Sequence, residues 1–182
     1  MYFKKFVLIC VICFAVTQSG CIPFPYVVSV LSNDFEGYKI YRIVWNDLPG
    51  IPFLDPKLSL IAQRFETKSG LSRYSLIMEY TSSSWIFIPS GESLKLNIDG
   101  TIIKFFSKEG SSDHREVNTY GSVSVTEKAW YDISSENLAL LANAKKVRIQ
   151  LDGKNTFLER DLSDSNINNF KKFYDEQVVN HK

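Results

Sequence analysis

Twice in this chain an Asp-Gly pair stands between strand-like runs, and that pattern restricts the fold towards antiparallel sheet more than any other feature. Leu94, Leu96 and Ile98 alternate with Lys95 and Asn97, then Asp99-Gly100 intervenes, then Thr101-Ile102-Ile103-Lys104-Phe105-Phe106 follows. A type I′ hairpin turn needs positive φ at both central residues, which Asp-Gly supplies. The second pair, Asp152-Gly153, separates Val147-Arg148-Ile149-Gln150-Leu151 from Thr156-Phe157-Leu158-Glu159. Tyr74, Leu76, Met78 and Tyr80 alternate with Ser75, Ile77 and Glu79. Further strands are expected over 38–45, 58–65, 85–88 and 123–133, all rich in β-branched and aromatic residues.

Two segments change to helical spacing. Over 134–146, Ser134 suits the cap, Glu136 the first turn, and Lys145 and Lys146 the other end. Leu138, Leu141, Ala142 and Ala144 form its apolar stripe. Over 163–179, Ser163 suits the cap, and Ile167, Phe170, Tyr174 and Val178 fall on one face. Strands, a helix, a hairpin and a terminal helix together predict a mostly β, α+β domain. Its antiparallel sheet carries the two helices on one side or at the ends, with a sandwich as the alternative.

The N-terminus obeys different rules. Lys4 and Lys5 precede the apolar run 6–16, and Thr17-Gln18-Ser19-Gly20 leads to Cys21. A basic start, a short apolar stretch and small residues before a processing point read as an export signal. The run is too short for comfortable spanning, which takes about 20 apolar residues. Cys10 and Cys13 lie inside it and would leave with it, so their C-x-x-C spacing carries no redox or metal meaning.

Gln18-Ser19-Gly20-Cys21 resembles the lipobox of bacterial lipoproteins, with Gln18 standing where that family usually has Leu. The resemblance implies cleavage before Cys21, lipidation of that cysteine, and anchoring by three acyl chains, palmitate among them. Three chains hold far more firmly than the marginal grip of one. Acylation would also remove the one thiol left in an oxidising compartment. Ile22 after the cysteine, rather than Asp, points by analogy to the outer membrane, on its periplasmic face. Ordinary cleavage near residues 17–19, leaving a secreted or periplasmic soluble protein, is the rival. The expected organisation is a signal peptide over 1–20, a tether over 21–25 and one β-rich domain over 26–180.

Loss of residues 1–20 removes two lysines and no acid, leaving 19 basic residues against 20 acidic and a net charge of −1. A near-neutral body without a basic stripe argues against nucleic acid as a partner. The motifs Trp85-x-Phe87-Ile88, Leu94-x-Leu96-x-Ile98-Asp99-Gly100, Glu127-x-x-x-Tyr131-x-Ile133 and Leu138-x-x-Leu141-Ala142-x-Ala144-Lys145 are similar to small β-rich bacterial envelope proteins. That resemblance covers roughly 72–162 and implies architecture alone, with no activity or site.

Candidate chemistry is sparse. His181 is penultimate, and His114 lies in a polar stretch, 108–116, expected to be a solvated loop. Asp113 and Glu116 beside it lack the spaced His and Cys ligands of zinc sites. No nucleophile elbow or phosphate-binding glycine loop is present, and Ser90-Gly91-Glu92-Ser93 reads as a turn. Asp99, Asp152, Glu79 and Glu159 are the acids available for paired-carboxylate hydrolysis, each with a simpler structural reading. No metal, cofactor or catalytic residue is expected.

The loop Trp45-Asn46-Asp47-Leu48-Pro49-Gly50-Ile51-Pro52-Phe53-Leu54-Asp55-Pro56 is the exception to this plainness. Apolar side chains on a proline-stiffened loop suit partner binding, because contact buries them and the prolines lower the ordering cost. Trp45, Leu48, Pro49 and Phe53 are the candidates. The competing expectation folds Ile51, Phe53 and Leu54 back over one end of the core. The functional expectation is a non-enzymatic envelope lipoprotein, a binding or accessory module for another envelope protein or a glycan. An inhibitor or immunity protein that blocks a toxin or hydrolase is the second reading, and a hydrolase the third.

Overall fold

The computed structural model describes residues 26–51, 56–119 and 122–181, and their side chains outside 108–123. Cys21, the preceding signal-like segment and Phe53 therefore lie outside the described residues. Nine strands form one antiparallel sheet: β1 (Val28–Asn33), β2 (Tyr38–Ile43), β3 (Lys57–Thr67), β4 (Ser72–Ser82), β5 (Gly91–Ile98), β6 (Thr101–Thr119), β7 (Ser122–Ile133), β8 (Val147–Asp152) and β9 (Phe157–Asp161). Their order across the sheet is β1-β2-β3-β4-β7-β6-β5-β8-β9. Helix α1 (Ser135–Ala142) follows β7, and α2 (Asp164–Tyr174) continues into a π-helical turn, Asp175–Val179. The mostly β, α+β expectation holds, as one sheet rather than a sandwich.

Pairing registers place most of the core on one face. Leu60 faces Met78, which faces Ala129; Leu96 lies between Ile103 and Ile149. Helix α1 adds Leu138 and Leu141, and α2 adds Phe170 and Phe173, all removed from solvent. Burying each such side chain is worth about 1.5–3 kcal/mol. Both helices begin at the expected serines: Ser134 accepts from the Asn137 N–H, and Ser163 forms a reciprocal capping box with Asn166. The other face bears charged pairs such as Glu79–Lys128 and Glu92–Lys104. It also holds one apolar row, Ile61 beside Ile77 beside Trp130.

Four local expectations are corrected. Residues 108–116 are strand, not loop: β6 runs on through them, paired with β7 after a register shift between Ser107 and Ser112. Residues 85–88 are loop, not strand, because their N–H groups bond to a side chain rather than to a neighbouring strand. Gly91 opens β5 instead of turning, and Ser93 is buried at a bulge in that strand. Asp99 and Gly100 do take positive φ, at 49° and 95°, but Gly153 does not. There the hairpin closes through residues 153–156, with the Gly153 N–H donating to the Thr156 carbonyl at 2.8 Å. Gly153 is needed for space: a Cβ there would lie 2.6 Å from the Ile86 carbonyl oxygen.

Candidate binding surface

Lys57 pairs with Thr81, so the start of β3 and the end of β4 lie together, and residues 44–51 and 83–90 flank that end of the sheet. Each of the two loops is braced by a buried polar side chain. In the first, the Asn46 side chain donates to the Leu60 carbonyl at 2.8 Å. Its oxygen accepts from the Asn166 side chain at 2.9 Å and from Asn169 at 3.2 Å. Asn166 also donates to the Asp47 carbonyl. Three buried asparagines thus fasten the loop to the first turns of α2, and the Leu48 side chain follows them into the core. The loop divides. Leu48 is inward, Pro49 is exposed, and Trp45 and Ile51 keep 46% and 58% of their surface open to solvent.

The second loop is tighter. Glu127, on β7, is completely buried. One carboxylate oxygen accepts the N–H groups of Ile86 at 2.6 Å and Phe87 at 3.0 Å; the other accepts that of Ile88 at 2.8 Å. Charge-assisted bonds of this kind are roughly twice as strong as neutral ones. The Tyr80 hydroxyl fixes the start of the loop by donating to the Ser84 carbonyl at 2.8 Å. The Lys154 N–H fixes its middle by donating to the Ile86 carbonyl at 2.9 Å.

Between these fastenings Phe87 adopts φ 56°, a region costly for a bulky side chain. Its ring is 56% exposed and stacks at 6.3 Å on the partly buried Trp85. The strained backbone, the buried carboxylate and the close approach of Gly153 together display one aromatic ring to solvent on a rigid support. Nothing in the sequence reading singled out Glu127 or Phe87 as a site. Phe87 between Trp85 and Ile88 reads as one more apolar strand position, and its φ value and exposure separate it from them.

Three of the four acids proposed for hydrolysis are engaged elsewhere. Glu79 pairs with Lys128, and Asp152 with Lys95 and the Gln150 amide. Asp99 accepts the N–H groups of Lys145 and Lys146, which hold its carboxyl below the usual range. Glu159 is exposed on the edge strand β9. Among the described residues no group of three His, Cys, Asp or Glu side chains is arranged to hold a metal ion. No helix among them is long and apolar enough to cross a membrane.

No protein-family model matches this chain, and a search of curated proteins returns no match to it.

Proposed function

We propose that this chain is a lipid-anchored, non-catalytic binding module of the bacterial cell envelope, held through Cys21 and working through the aromatic loops at one end of its sheet. The observation that carries the binding role is the Glu127 clamp on residues 86–88, which supports an exposed Phe87 in a strained conformation. Strain of this kind costs about 1–3 kcal/mol and persists where surrounding structure enforces it, commonly at binding sites. A ring already fixed in place loses little freedom on contact, so more of its burial energy reaches the complex. Membrane confinement would raise the effective concentration of such a small surface.

The partner is another envelope protein or a glycan. Photo-crosslinking in intact cells from position 87, with position 140 on the exposed side of α1 as control, tests the first. Retention of the wild type, but not of Phe87→Ser, on isolated cell-wall glycan tests the second. No position-specific crosslink and no retention would defeat the binding role. An inhibitor of a toxin or hydrolase is the second reading, favoured by the same rigid display. It requires that the position 87 crosslink reach an enzyme whose activity the protein suppresses.

A further inference from the structure

The sheet has two edges, and they are built differently. At one, β9 carries Glu159, Arg160 and Asp161, with Asp161 held by Arg148 at 2.7 Å. Charges along an edge discourage the addition of another strand. At the other, β1 reads Val-Ser-Val-Leu-Ser-Asn, without charge, proline or glycine, and pairs with β2 without any register shift. Val30 and Leu31 are each 59% exposed, and neighbouring side chains alternate between the two faces of a strand. The Val44 N–H bonds to the Val27 carbonyl at 2.9 Å, which sets the phase of the β1–β2 ladder. By alternation, Val28, Val30 and Ser32 turn their backbone N–H and C=O groups away from β2.

We propose that β1 is an interface to a second copy of the same chain, the two β1 strands pairing antiparallel about a two-fold axis. This rests on the anchored reading above. Tyr26 stands immediately before β1, its hydroxyl donating to a Glu176 carboxylate oxygen at 2.9 Å and so fixing where the strand begins. Four residues lie between Cys21 and Tyr26, so five chain steps give a reach of at most about 17 Å. Every anchored copy would therefore hold β1 at a similar height, and with β1 lying across the membrane normal, a two-fold axis along that normal would bring two β1 edges together antiparallel. A register centred on Val30 matches outward backbone with outward backbone, placing Val28 opposite Ser32 and Val30 opposite its symmetry mate. It sets no like charges against each other. A contact of six residues per strand is small against the ~800 Å² per partner of a stable interface. The pairing therefore depends on confinement to a membrane.

Opposed residues in a hydrogen-bonded antiparallel pair have Cα atoms about 5.5 Å apart, within disulfide range. The test is oxidative crosslinking of full-length Val30→Cys in cell membranes, with palmitate labelling of Cys21 read in parallel and Phe157→Cys on β9 as control. A dimer of twice the chain mass from Val30→Cys alone, lost when Leu31→Lys is added, is the expected result. Dimers from both positions would show random collision and overturn the interface, as would a Val30→Cys crosslink to a different polypeptide. Labelled Cys21 with no dimer would overturn the pairing and leave the anchor standing. A dimer with no label would refute the anchor and overturn the dependence of the pairing on confinement; absence of both would refute both.

Discussion

Glu127 holds Phe87 in a conformation that phenylalanine does not favour. The carboxylate of one, buried on β7, accepts the N–H of the other at 3.0 Å while Phe87 sits at φ 56°. The same carboxylate takes the N–H groups on either side, so three consecutive peptide units converge on one side chain. A three-residue bend of this kind has no neighbouring strand to satisfy it, and Glu127 takes that part from inside the core.

Removing the carboxylate leaves those donors without their acceptor. Unpaired buried groups cost about 1–3 kcal/mol each, less whatever the loop recovers by moving into water. Glu127→Ala should lower stability by about 3 kcal/mol or more in urea denaturation, and should abolish any binding that depends on Phe87. A loss below about 1 kcal/mol would show that the clamp is not holding the loop.

Backbone strain at position 87 has its own signature. At ordinary positions alanine is at least as stable as glycine, whereas in the left-handed region a Cβ costs roughly 1–2 kcal/mol. Phe87→Gly should therefore be more stable than Phe87→Ala by about 1 kcal/mol. The opposite order in thermal unfolding would rule out an enforced positive φ.

Gly153 and Gly100 should fail for different reasons. A Cβ at Gly153 meets the Ile86 carbonyl oxygen at 2.6 Å, whereas one at Gly100 meets open space but keeps φ 95°. Gly153→Ala should cost about 1–3 kcal/mol and weaken binding at the Phe87 loop, which it displaces. Gly100→Ala should cost about 1 kcal/mol and leave binding unchanged. Equal effects on binding would disprove the coupling between the 153–156 hairpin and the loop.

Stability should fall at both extremes of pH, through different groups. Backbone N–H donors lower the Asp99 carboxyl and the Arg148 guanidinium lowers Asp161. The folded state then binds fewer protons than the unfolded chain below about pH 4, and stability is lost as pH falls through the lowered values. Burial pushes the Tyr131 hydroxyl up to about 12. The folded chain keeps that proton while the unfolded chain loses it near pH 10, so stability declines from about pH 10 upwards. Tyr131→Phe should flatten the alkaline limb and Asp99→Asn the acid one, with pH-dependent urea midpoints as the readout. Unchanged limbs would refute both assignments.

The local rules of the sequence carried much of the fold. Period-two alternation around Leu76 and Leu96, Asp99-Gly100 and the two serine caps each depend on near neighbours, and each is present. Long-range partners were not legible. Residues 85–88 have the composition of a strand, and bonds from distant positions, chiefly to Glu127 about 40 positions away, make them a loop. Asn46 reads as a loop residue until Asn166 and Asn169 arrive from α2. Phe173, which is not part of the stripe of Ile167, Phe170, Tyr174 and Val178, is fully buried. The polar stretch 108–116 became strand because β7 supplied a partner. On the candidate loop, Trp45, Leu48 and Pro49 read alike in the sequence; Trp45 and Pro49 are exposed, whereas the burial of Leu48 depends on how the asparagines draw the chain inward.

The anchored reading stands or falls on Cys21. Metabolic labelling with an alkyne-palmitate, comparing wild type with Cys21→Ala and following both label and membrane fraction, tests it most directly. The account predicts label on the wild type, none on Cys21→Ala, and membrane association that weakens with it. An unlabelled wild-type protein recovered in the soluble fraction would contradict it, because the confinement on which the binding role relies would be absent.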